Sequence, residues 1–149
     1  MDWRKLRQYL RNKYQVSKAF IFIGKVIGNE PLYQFLTQSG YTLIFKPTLE
    51  HKEKGKLIVK GNVDAELVLH SMIQYKNYHK AMIISGDGDF HCLIDYLKKK
   101  GKLLKVLVPT DHFSALLREF NKEKFIVRID LLRKSLEKKE TGIRGRSKP

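Results

Sequence analysis

The chain has a single cysteine, Cys92, among its 149 residues. That count excludes an internal disulfide and a cysteine-rich zinc site. Acids are scarce as well, with 15 Asp+Glu against 30 Lys+Arg. No apolar run approaches the roughly 18 residues that a membrane span requires. The opening Met-Asp-Trp-Arg-Lys-Leu-Arg-Gln-Tyr-Leu has no signal-peptide apolar stretch. No Gly-x-Ser-x-Gly elbow, phosphate loop or dinucleotide fingerprint occurs. What is present is a hydrophobic fraction of 42% and a formal net charge of +15. The first builds a core and excludes wholesale disorder; the second attracts polyanions. A cytoplasmic domain with no membrane segment is the expectation.

The positive charge is unevenly placed. Residues 1–20 hold Arg4, Lys5, Arg7, Arg11, Lys13 and Lys18 against Asp2 alone. Lys98, Lys99, Lys100, Lys102 and Lys105 form a second run without an acid. The end, Thr-Gly-Ile-Arg-Gly-Arg-Ser-Lys-Pro, has a composition that predicts a basic disordered tail over 140–149, after one domain over 1–139. Each run taken singly also suits a solvated helix face. A net +15 on one small domain favours a nucleic acid or a similar polyanion.

Apolar periodicity alternates between helix and strand along the chain. Asp2 caps a first helix with Trp3, Leu6, Leu10 and Tyr14 on one stripe. Ala19 to Ile23 is an apolar strand ended by Gly24; Asn29-Glu30-Pro31 then gives a cap and an early Pro to a short helix with Leu32, Phe35 and Leu36, stopped by Gly40. Tyr41 to Phe45 is the next strand, followed by a polar loop from Lys46 to Lys56. A helix then runs from Gly61 or Asn62 to Gln74, followed by strand Ala81–Ile84, helix Phe90–Lys100 and strand Leu103–Val108. Helix Phe113–Phe120, strand Phe125–Ile129 and a basic helix Leu131–Lys139 complete the series. Alternation at this spacing predicts right-handed crossovers and a three-layer α/β/α fold with a mostly parallel sheet.

Ligands of such folds bind beyond the carboxyl ends of the strands. There the apolar strand Ala81–Ile84 runs into Ser85-Gly86-Asp87-Gly88-Asp89-Phe90. Two carboxylates so close repel each other unless a cation lies between them. Mg²⁺ or Mn²⁺ suits carboxylate oxygens and keeps waters for chemistry. The alternative reading makes Asp87 a turn residue and Asp89 a helix N-cap. Upstream, in Lys60-Gly61-Asn62-Val63-Asp64-Ala65-Glu66, Asp64 lies in a first helical turn. There it either faces the same crevice or complements the helix dipole. Glu66, about 200° further round, faces elsewhere. Lys60 is placed to hold a phosphate, to pair with a carboxylate or to remain solvated. The five histidines show no zinc-type spacing, and Cys92 falls on an apolar helix face as a core residue.

Lys60-Gly61-Asn62-Val63-Asp64, with Ser85-Gly86-Asp87-Gly88-Asp89-Phe90 about twenty residues later, resembles the NYN domain family, LabA/DUF88-like members of the PIN-like nuclease superfamily. The resemblance extends to about Ile129. It implies a PIN-like (Rossmannoid) fold and Mg²⁺- or Mn²⁺-dependent ribonuclease chemistry on RNA. It places the catalytic, metal-binding acids at Asp64, Asp87 and Asp89, with Lys60, Asn62 and Ser85 as substrate-binding positions. A departure accompanies it: such domains open with a strand ending in Asp-x-x-Asn, which supplies a first metal-binding Asp. Here Asp2 precedes a helix, so an RNA-binding module with an incomplete catalytic centre is the alternative. A Toprim-type domain also sets Asp-x-Asp after a strand, but it needs a Glu at an earlier strand end, and Ile21 to Lys25 offers none. A homodimer is left open.

Overall fold

Asp2 does start a helix. In the computed structural model, which describes residues 1–60 and 62–134, its carboxylate accepts the Lys5 backbone N–H at 3.1 Å and caps α1, Trp3–Tyr14. Side chains are described throughout that range except at 49–53 and 56–60. The chain folds as two compact units, Met1–His70 and Ser71–Pro149.

In the first unit, α1 buries Leu6 and Leu10, as its stripe requires, and Arg7 beside them. The guanidinium donates to three backbone carbonyls: Gly40 from Nε at 3.2 Å, Val16 and Ser17 from its terminal nitrogens at 3.0 Å each. Arg7 therefore leaves the exposed basic face that its neighbours form. It ties the residues that follow α1 to the turn at Gly40. Burial, reinforced by nearby Arg11, lowers its pKa. Strand β1, Phe20–Lys25, continues one residue past Gly24 and pairs in parallel with β2, Thr42–Pro47. Helix α2, Glu30–Gln38, makes the crossover, with Pro31 in its first turn where a missing N–H costs nothing. It begins after Asn29 and ends just short of Gly40, as the sequence predicts.

The expected loop over Lys46–Lys56 is instead largely a hairpin. β3, Leu49–Glu53, and β4, Lys56–Lys60, pair antiparallel with Glu53 opposite Lys56. The connecting residues, Lys54 and Gly55, have φ of 52° and 77°, the two positive values of the tight turn that matches strand twist. Helix α3 then runs Asp64–Ile73.

In the second unit, β5 (Ala81–Ile84), β6 (Leu103–Val108) and β7 (Ile126–Arg128) form a parallel sheet in that order. Helix α4, His91–Lys99, links the first pair, and α5, Arg118–Lys122, entered through a 3-10 turn at Ala115–Leu117, links the second. Ile94, Leu97, Val106, Leu107, Leu117 and Phe120 are wholly buried. Each such side chain contributes roughly 1.5–3 kcal/mol. Cys92 is exposed, contrary to its expected core position, because α4 presents Leu93, Ile94 and Leu97 to the core and Cys92 falls off that face. Residues 129–134 are helical; the rest of the helix expected to Lys139, and the tail expected over 140–149, lie outside the described residues. Among the described residues no helix is long and apolar enough to cross a membrane.

Candidate metal centre

The loop after β5 is folded by its own polar side chains. The Ser85 N–H extends the sheet ladder to the Leu107 carbonyl at 2.9 Å. The Ser85 hydroxyl then accepts the Asp87 N–H at 3.1 Å, and Asp87 Oδ1 accepts the Asp89 N–H at 2.9 Å. The cap is thus Asp87, at the head of a 3-10 turn over Gly88–Phe90, and not Asp89. Phe90, 4% exposed, anchors the end of the loop. Both aspartates lie exposed at the carboxyl end of the sheet.

The glycines serve closeness more than turning. Neither Gly86 nor Gly88 has a positive φ. A Cβ on Gly86 would lie 3.3 Å from Cβ of Phe113; one on Gly88 would lie 2.4 Å from Oγ of Ser114. The Ser114 N–H donates to the Gly86 carbonyl at 3.0 Å, and its hydroxyl accepts the Leu116 N–H at 3.2 Å. Ser114 is the residue whose part in the site sequence reading missed. It supports the acidic loop while capping the turn into α5.

Asp64 is half-buried in the first turn of α3, where its N–H donates to Asn62 Oδ1 at 2.8 Å. Asn62 therefore serves the helix start with its side chain. Its carbonyl accepts from Lys46 Nζ at 2.5 Å, and the same ammonium lies 3.5 Å from Glu66. Glu66 is accordingly engaged with Lys46. Lys60 is in β4, its side chain outside those described.

Asp87 and Asp89 offer one carboxylate oxygen each within 4.8 Å of one another, an acidic group that could hold a metal ion; Asp64 belongs to the first unit. Their chemistry fits a hard divalent cation, which takes carboxylate oxygens and offsets their mutual repulsion. Asp2 holds the α1 cap. Among the histidines, His91 Nε2 meets Glu119 Oε1 at 2.5 Å, while His70 packs edge-on against Phe20 and Phe22. Neither belongs to the acidic group.

The model of the NYN domain family matches residues 1–132. A crystal structure of a protein of unknown function from Vibrio parahaemolyticus is similar to this chain with a TM-score of 0.56 and 21% identity. The likeness covers 72% of this chain and 65% of the Vibrio protein, so this chain spans just under two thirds of that protein's length. No curated protein matches the sequence. The helices, the parallel strands and this likeness give the three-layer α/β/α, PIN-like fold that the sequence predicts.

Proposed function

The chain belongs to the NYN domain family, and from that premise we propose that it is a metal-dependent ribonuclease hydrolysing phosphodiester bonds in cytoplasmic RNA. The observation that carries the reading is the acidic pair Asp87 and Asp89 in a chain with twice as many basic as acidic residues, to which the family resemblance adds Asp64. These carboxylates would hold Mg²⁺ or Mn²⁺. Such an ion supplies an activated water and stabilises charge on the scissile phosphate.

The chain's own residues do the rest. Ser85 fixes the turn that presents Asp87, Asp87 fixes Asp89, and Asn62 fixes the start of the helix that carries Asp64. Lys60, beside them in sequence, meets a phosphate. The excess lysines and arginines draw RNA in and supply affinity through its backbone, so bases need not be read. Asp87→Asn and Asp89→Asn should each lower metal-dependent cleavage of a labelled RNA about a hundredfold or more, several kcal/mol of transition-state stabilisation. Unchanged cleavage in both variants would sink the proposal.

One observation favours a second reading. Three acids are assigned to the site, and the remaining early aspartate, Asp2, caps α1. An RNA-binding module with an incomplete catalytic centre has the same basic surface. It binds RNA with strong salt dependence and shows no cleavage when metal is added.

A further inference from the structure

We propose that the second unit carries a separate binding surface for single-stranded RNA where its strands begin, at the opposite end of β5 from Asp87 and Asp89. Two segments meet there, Tyr-Lys-Asn-Tyr-His-Lys at 75–80 and Asp-Tyr-Leu-Lys-Lys-Lys-Gly-Lys at 95–102. The Ala81 N–H donates to the Lys102 carbonyl at 2.8 Å and joins them. Between them they hold six lysines and one carboxylate, Asp95. The four residues of β5 separate this surface from the acidic loop by roughly 13 Å.

The surface is built rather than merely charged. The Tyr75 ring lies 6.1 Å from Tyr78 and 6.2 Å from Tyr96, centroid to centroid. Lys102 Nζ sits 4.3 Å from the Tyr75 centroid and 4.7 Å from that of Tyr78, and donates to the Tyr75 carbonyl. The Tyr78 hydroxyl donates to the Ser71 carbonyl at 2.9 Å. Lys102 and Tyr78 are therefore framework. Tyr96 is 41% exposed, with Lys100 Nζ 5.6 Å from its ring. The nearby acids are answered within the protein, Asp95 by Lys99 at 2.7 Å and Glu123 by Lys98. Lys76 and Lys80 flank Tyr78 in sequence, and with Lys100 they are exposed.

An exposed aromatic ring amid lysines is the chemistry of a stacking platform. Every base has a face to stack, and phosphates meet the ammonium groups. A duplex hides its base faces, so the site selects single strands. RNA as the ligand rests on the function proposed above; the surface itself needs no cleavage.

The test is fluorescence anisotropy on the full chain in EDTA, with a short fluorescein-labelled oligouridylate and an RNA duplex of equal length. Tyr96→Ala should weaken oligouridylate binding about 5- to 100-fold, the equivalent of one lost stack. Tyr96→Phe should stay within about twofold because the ring is kept. Lys76→Ala, Lys80→Ala and Lys100→Ala together should flatten the log–log salt dependence by about 2, at about 0.7 per phosphate contact on a single strand. Duplex binding should change less with Tyr96→Ala than oligouridylate binding does. Native-like oligouridylate binding by a folded Tyr96→Ala protein, or an unaltered salt slope in the lysine variant, overturns the proposal. Asp87→Asn separates the two readings: it should bind oligouridylate normally while losing cleavage. Normal cleavage by it would defeat the nuclease alone.

Discussion

Gly88 shows how narrowly the acidic loop is made. Ala there would set Cβ 2.4 Å from Ser114 Oγ, 3.1 Å from its Cβ and 3.0 Å from Leu116 Cδ1. Gly88→Ala should therefore destabilise the fold by about 1–3 kcal/mol and impair cleavage. Ser114→Gly in the same chain should restore part of both, as denaturant titration and the cleavage assay would reveal. Arg7 is the second sensitive position. Its planar fork meets three carbonyls, which one ammonium cannot reproduce, so Arg7→Lys should cost about 2–4 kcal/mol in urea unfolding. Tyr41 adds a pH dependence. Burial pushes its hydroxyl up to about 12, against the opposing pull of Arg7, and the hydroxyl donates to the Trp3 carbonyl at 2.7 Å. The folded state holds this proton more tightly than the unfolded chain, so its contribution is intact below pH 10 and fades as pH rises towards 12. Tyr41→Phe should remove on the order of 2–3 kcal/mol of that alkaline loss in unfolding followed across this range. The aspartates were legible because an apolar strand led straight into them. The Arg7 clamp was not: periodicity places Arg7 beside Leu6 and Leu10, but nothing local records that distant carbonyls wait for it.

Among the elements, β5 and β6 have the bounds their apolar runs announce, Ala81–Ile84 and Leu103–Val108. Buried parallel strands read as unbroken hydrophobic stretches, which makes them the easiest elements to find. The β3–β4 hairpin has no such signal. Leu49–Glu53 is mostly charged, and its turn is Lys54-Gly55 in place of the Asn-Gly that marks such hairpins. Lys54 takes a positive φ that a lysine rarely adopts. Lys54→Asn should accordingly stabilise the hairpin by about 0.5–1 kcal/mol, seen as slower amide exchange across the Glu53–Lys56 pairing. Gly55→Ala, at φ 77°, should do the reverse. Helix starts follow their caps: Asn62 Oδ1 takes the Asp64 N–H, and α3 begins at Asp64.

For the whole molecule, the charge ratio and the acidic group belong to one account. In the function proposed, a net +15 draws RNA in and a few of the 15 acids hold the metal ion. Attraction and chemistry should separate under salt, which weakens RNA binding steeply but leaves ion binding by clustered carboxylates far less affected. The fold class and the place of Asp87 and Asp89 beyond β5 were readable from sequence because both follow from strand-to-loop order. The packing of Ser114 against Gly88, and the way Asp87 rather than Asp89 takes the cap, depend on side chains meeting across the fold. The most direct measurement is titration of the full chain with Mn²⁺, followed by electron paramagnetic resonance. The native protein should bind the ion, and Asp64→Asn and Asp87→Asn should each weaken that binding by tenfold or more, about 1.4 kcal/mol. Native-like Mn²⁺ affinity in both variants would contradict the account.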